Sequence, residues 1–325
     1  MQPPRKKDPH IKWIAFLILL NFALLSIVGG IFFFWESYTQ EKLSDILSAY
    51  PFVSPARNLI DQKDFITNLV PLREDIKKIV DSFESVATTS IYIEALNSGA
   101  SITLQKDVRV FPASLAKIPL AMAVIKNIEE GGWAFDTMLP VEEKHIDSRS
   151  GTLYERVRDG DGITVKQLLE EMLVHSDNTA YETLLSHMKE RDWSNISDLI
   201  GLAALYDFEG KILLAEYIKM FRSLYTASYL TRESSEYILE LLSLTGFNNF
   251  IVQGLPSYQS FSHKWGKNIE RNVFADVGIV YLPDRPFLIG ILVQSYEDTP
   301  EAGEKTAQTI MKAVAERTYS YMRDY

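Results

Sequence analysis

Cysteine is absent from this 325-residue chain, which excludes thiolate nucleophiles, cysteine-ligated zinc and disulfide staples while leaving the compartment open. Histidine is scarce: His10, His145, His175, His187 and His263 are scattered and form no H-E-x-x-H or comparable spacing, so no metal centre is expected. No G-x-S-x-G occurs, which removes the nucleophile-elbow route to a serine hydrolase. Positive charge is the minority, 33 Lys and Arg against 43 Asp and Glu, and an acidic body argues against nucleic-acid binding. Nothing suggests a diffusible cofactor. Internal repeats and low-complexity tracts are also missing.

Charge is missing altogether from Ile14 to Trp35, 22 residues with a single Asn. At 1.5 Å per residue such a helix matches a hydrocarbon core of about 30 Å. Trp13 and Trp35 stand at its ends, where interfacial aromatics belong. Arg5, Lys6, Lys7 and Lys12 all precede it, opposed by Asp8 alone, leaving 29 basic and 42 acidic residues beyond. The expectation is a single-pass anchor at 14–35, with a cytoplasmic basic tail at 1–13 and the body outside the membrane. A cleaved signal peptide fits less well, because the apolar run is long and no A-x-A site follows. Either way the body is exported. Residues 36–72 read as a stalk, broken by the prolines of YPFVSPARN.

The body, 73–325, alternates in character. Leu72, Ile76, Ile79, Val80 and Phe83 recur at helical spacing. SIYIEAL and SITLQKDVRVF are β-rich runs joined by NSGA, a hairpin pattern. Helical sequence dominates from about 114 to 245, interrupted near GGW, 142–164 and 190–211. Strands return in QSFSHKWG, VFADVGIVYL and FLIGILVQSY, and a last helix opens at Thr299-Pro300-Glu301 with Thr as N-cap and Pro at the first position. Strands at both ends (73–113 and 246–325) around a helical middle imply an α/β body with a helical insert.

Three short motifs carry chemistry. FPASLAKIPL sets Ser114 and Lys117 three apart at a helix start, on one face. An amine beside a hydroxyl can act as its base, and the helix N-terminus offers free N–H groups to a developing oxyanion. Taken alone, S-x-x-K is equally an N-capping serine with a solvated lysine. Ser176-Asp177-Asn178 interrupts two amphipathic helices and by itself reads as a turn with an N-cap. His263-Lys264-Trp265-Gly266 lies in a strand ahead of a long hairpin.

Taken in order, S-x-x-K, S-D-N and K-x-G resemble the signature of class A β-lactamases and penicillin-binding proteins. The likeness spans about 73–325 and is weak in 185–250. It implies an α/β (α+β) fold with a five-stranded antiparallel sheet flanked by helices. It further implies that Ser114 is the acyl-forming nucleophile, Lys117 its base or proton relay, and Ser176 the donor to the leaving nitrogen. Asn178 would hold the substrate amide carbonyl, and Lys264 would supply positive charge beside Ser176. Gly266 would let substrate approach the strand, and the N–H groups of Ser114 and Lys267 would form the oxyanion hole. Lys264 is also expected to help keep Lys117 neutral by like-charge repulsion.

Two positions depart from the family pattern. No E-x-x-L-N, the family's source of the deacylating glutamate, occurs between 179 and 263. Glu209 in YDFEGKILL is the nearest stand-in and reads more simply as an exposed loop carboxylate. Trp265 replaces a small hydroxyl residue and is accommodated only if it faces away from the site. The expected substrate is a β-lactam or a related amide or ester. A D,D-peptidase acting on cell-wall peptides, or a non-catalytic module binding wall fragments, are the alternatives.

Overall fold

The computed structural model describes residues 9–53, 68–188 and 205–324, and the chain divides into two units, Met1–Pro51 and Phe52–Tyr325. The first is one helix, α1 (Pro9–Ala49). Within it, Leu19–Tyr38 is long and apolar enough to cross a membrane by length and composition, with Phe33 and Phe34 more than 70% exposed. The expected stalk boundary at residue 36 is not a structural break. The helix runs on to Ala49 and stops where Pro51 follows, because proline disfavours the α conformation in the residue before it. Positions 1–8 of the basic tail and 54–67 of the stalk lie outside the described residues.

In the second unit, α2 (Val70–Asp81) precedes the hairpin β1 (Ala87–Ala95) and β2 (Ser101–Leu104) and the short β3 (Arg109–Val110). A 3-10 turn over Ala113–Ala116 leads into α3 (Lys117–Glu129). There follow β4 (Met138–Pro140), α4 (Leu153–Arg156), β5 (Gly162–Thr164), α5 (Val165–Val174) and α6 (Asn178–His187). Beyond residue 204 come β6 (Ile212–Leu213), α7 (Leu214–Thr226) and α8 (Arg232–Ser243). The chain then returns through β7 (Phe261–Asn268), β8 (Val273–Val280) and β9 (Phe287–Ser295) to α9 (Pro300–Asp324). Thr299 Oγ1 accepts the N–H of Ala302, as an N-cap should.

The five long strands form one sheet in the order β2-β1-β9-β8-β7, every neighbour antiparallel. Register assigns the faces, since alternate residues point to opposite sides. Ile91, Ile93, Ile289, Ile291, Val293 and Phe274 bury on one face, packed with Leu72 and Ile76 of α2 and Ile310, Met311 and Val314 of α9. On the other face Gly290 lies against Leu214 and Ile218 of α7. The helical middle is not purely helical: β3 pairs with β6 and β4 with β5, two small ribbons that frame its loops.

Phe52 and Val53 are fastened to the body, their N–H groups donating to the Glu236 carboxylate at 3.0–3.1 Å. Ile291, opposite Ile91 at the sheet centre, is fully buried. Ile291→Ala should therefore lower unfolding free energy by about 2–5 kcal/mol, whereas Val70→Ala, at an exposed position, should stay within about 0.5 kcal/mol. Denaturant titration of both variants checks this.

Candidate active site

Ser114 sits in the 3-10 turn just ahead of α3, and Lys117 is the first residue of that helix. Ala113 before it has φ 48° and Ser176 has φ 55°, both in the left-handed region that non-glycine residues avoid. Each costs roughly 1–3 kcal/mol and persists only where the surroundings impose it. Here the surroundings are visible. Tyr217 on α7 donates its hydroxyl to the Leu115 carbonyl at 2.8 Å, holding the turn from below. Asp177, wholly buried, accepts the N–H groups of Ala180 and Leu153 at 2.9 and 2.8 Å. Gly151, at φ 84°, passes so close to Asp177 that any Cβ would overlap its carboxylate. The Asn178 N–H bonds the Ser150 carbonyl, and the Ser150 hydroxyl bonds the Ser176 carbonyl. The S-D-N segment is thus pinned to the 150–153 loop.

These supports converge on one amine. Lys117 Nζ lies 3.1 Å from Ser114 Oγ, 3.2 Å from Ser176 Oγ, 2.5 Å from the Ser176 carbonyl and 2.8 Å from Asn178 Oδ1. The side chain is only 2% exposed. Burial brings its pKa down from the usual lysine range to about 7, against the opposing pull of Asp177, Asp147 and Glu182. Lys264 is fully buried across the site and donates to Ser176 Oγ at 2.9 Å and to the Trp265 carbonyl at 2.9 Å. Burial, then repulsion from Lys117, drives its pKa well down. Desolvation is the first cause of the lowering at Lys117, and the like charge of Lys264 across Ser176 Oγ acts in the same direction on the pair.

Strand β7 closes the other side. Lys264 and Gly266 pair with Val277 and Ala275 and face the helices; Trp265 pairs with Asp276 on the α9 face. A Cβ on Gly266 would sit 3.0 Å from the Ser114 nitrogen and 3.2 Å from Ala113 Cβ, so the strand backbone runs directly against the Ser114 turn. Trp265 stacks flat on Phe247, ring centres 4.2 Å apart, and packs against the α9 core. It still borders the cleft, with Lys264 Nζ 4.8 Å from its ring centre. Lys267 reaches the same cleft and pairs with Glu304. The cleft has a volume of about 640 Å³ and brings Ser114, Lys117, Asn178, Trp265 and Lys267 together with Arg149, Tyr181 and Glu182.

The sequence matches the model of the "Beta-lactamase enzyme family" over residues 71–322. The chain belongs to this family of serine hydrolases. It is 23% identical to β-lactamase VEB-1 of Pseudomonas aeruginosa, over 69% of this chain and 82% of that protein. Among solved structures, PBP-A superposes with TM-score 0.70 at 21% identity, covering 79% of this chain and 97% of PBP-A. A β-lactamase from Sphaerobacter thermophilus gives 0.68 at 19% identity, covering 78% and 97%.

Within the β-lactamase family frame, Glu209 is not at the site. It pairs with Lys211 in the turn opened by Asp207 and does not line the cleft. Arg149, Tyr181, Glu182 and Tyr217 were not singled out from sequence. The spacing Asn178, Tyr181, Glu182, one helical face, was the available signal for two of them.

The buried amine has a thermodynamic signature. Its native pKa lies below that of a free lysine, about 10.4, so between roughly pH 7 and pH 10 the unfolded chain holds a proton that the native state lacks. Stability therefore rises with pH across that window. Lys117→Met should flatten this rise by about 1.4 kcal/mol per pH unit, one proton's worth, measured by denaturant unfolding at several pH values. An unchanged slope would mean that Lys117 is charged in the native protein.

Proposed function

We propose that the chain is a membrane-anchored serine hydrolase that opens β-lactams or related amides through an acyl-enzyme on Ser114. The observation that carries this reading is the Lys117 amine, 3.1 Å from Ser114 Oγ and brought by burial to a pKa of about 7. Its four oxygen neighbours exceed the three N–H bonds of an ammonium. When neutral, the amine keeps a lone pair that can accept the Ser114 proton. Ser114 Oγ then attacks the carbonyl carbon, and the charge gathering on the carbonyl oxygen is met by the N–H groups of Ser114 and Lys267. Ser176, hydrogen-bonded to both Lys117 and Lys264, passes a proton to the leaving nitrogen. Asn178 Oδ1 faces Lys117 and accepts from it, leaving its amide N–H groups for the substrate amide carbonyl. The bare Cα of Gly266 lets β7 lie against the Ser114 turn, which keeps the neighbouring Lys267 N–H beside the nucleophile.

One relative supports the substrate class: a PBP-A variant is described as an acyl-enzyme complex with penicillin G. The cell-wall peptidase reading uses the same acyl-enzyme and is favoured by the distance of Glu209 from the cleft. The positive flank ahead of the apolar helix supports an N-terminus in the cytoplasm and a catalytic unit outside.

Three outcomes are expected. Incubated with benzylpenicillin, the protein should gain the mass of one penicillin, and Ser114→Ala should gain none; an adduct on the variant would place the chemistry elsewhere. The acylation rate should fall about tenfold per pH unit below about pH 7, as Lys117 takes up a proton and stops serving as base. Stopped-flow acylation from acid to alkaline pH reads this, and a flat profile would remove Lys117 from the role. The full chain should stay in membranes through an alkaline wash, and release by that wash would count against an anchor.

A further inference from the structure

Two carboxylates line the cleft among the described residues, Glu182 and Glu270. Glu270 is exposed in the β7–β8 turn and also borders a separate hollow with Arg109, Lys211 and Arg271. Glu182 is half-buried on α6, one helical turn beyond Asn178. Asn178, Tyr181 and Glu182 share a face, as residues at i, i+3 and i+4 must, and all three line the cleft. That face is turned toward the nucleophile's amine: Asn178 Oδ1 is 2.8 Å from Lys117 Nζ, and the Tyr181 ring centre is 6.0 Å from it. Asn178 Oδ1 is thus engaged by Lys117 and the Tyr181 ring borders it, whereas no hydrogen bond or ion pair among the described residues engages the Glu182 carboxylate. Its attraction is felt at Lys117 and at Arg149, two basic side chains of the same cleft.

We propose that Glu182 activates the water that clears the Ser114 acyl-enzyme, a role resting on the acyl-enzyme reading above. A Glu182 oxygen accepts one proton from the water as the water oxygen bonds to the acyl carbonyl carbon. Collapse of that intermediate breaks the bond to Ser114 Oγ, which takes the proton back from Glu182. One water is consumed, and the free acid, the Ser114 hydroxyl and the Glu182 carboxylate result. The base is delivered by the S-D-N helix itself, so the missing E-x-x-L-N does not leave the site without one.

The test uses the full-length protein in detergent with benzylpenicillin, following adduct mass in the parent, Glu182→Gln and Glu209→Gln. Expected are acylation of Glu182→Gln within about twofold of the parent and an adduct lasting at least about 100-fold longer. Glu209→Gln should match the parent in both steps. Clearance of the Glu182→Gln adduct at the parental rate would overturn the proposal, as would equal slowing of both steps, the mark of a structural or substrate-holding role. A parent adduct that never clears would overturn it while leaving the Ser114 acyl-enzyme intact. No adduct on the parent would remove that underlying reading and this role with it.

Discussion

Everything at this site depends on keeping one amine dry. Lys117 is the first residue of α3, yet it is buried against Ser114, three residues before it, and against Ser176 and Asn178 from a segment some sixty residues away. Burying an amine is costly unless its partners are supplied, and the supply is elaborate. Asp177 locks the S-D-N turn to the 150–153 loop, Tyr217 holds the turn after Ser114, and β7 seals the far side with Gly266 against the Ser114 nitrogen. Two residues in left-handed backbone conformations are the local expense of this arrangement. Their placement, one directly before Ser114 and one at Ser176, in contact with Lys117, is where strain in service of a site is expected.

Register does the sorting that composition cannot. On β7 a one-residue slip would turn Lys264 and Gly266 away from Ser114 and present Trp265 to it. The observed pairing instead sends the indole to stack on Phe247 beneath α9. A bulky residue in place of a small hydroxyl is thus carried by the core on the opposite face, with its border on the cleft as the remaining influence on substrate shape.

Much of the fold was legible from sequence because its signals are local. The helical spacing from Leu72 onward, the NSGA hairpin and the Thr299-Pro300 helix start each appear where the pattern put them. So did the order of the three motifs, which the structure brings into one cleft. The ribbons β3–β6 and β4–β5 were not legible, since strands of two or three residues have no period to detect. Positive φ at Ala113 and Ser176 was invisible for a related reason: neither residue type signals it. The bond from Tyr217 to Leu115 joins positions 102 apart, and the face of Trp265 depends on pairing with β8. Glu209 is the exposed loop carboxylate that its polar turn sequence suggests, paired with Lys211.

The strand order has a consequence for how the molecule comes into being. β1, among the first strands of the body, is flanked by β2 and by β9, the last strand, in nine-residue register from Ala87 opposite Ser295 to Ala95 opposite Phe287. Nearly the whole body must be available before the centre of the sheet can close, a topology of non-local contacts that makes for slow folding. Ser114 and Ser176 are synthesised well ahead of Lys264, and the strand that carries Lys264 reaches the sheet only through β8 and β9. The three motif segments therefore come together only when the last strands have joined the sheet, so the cleft is completed together with the fold.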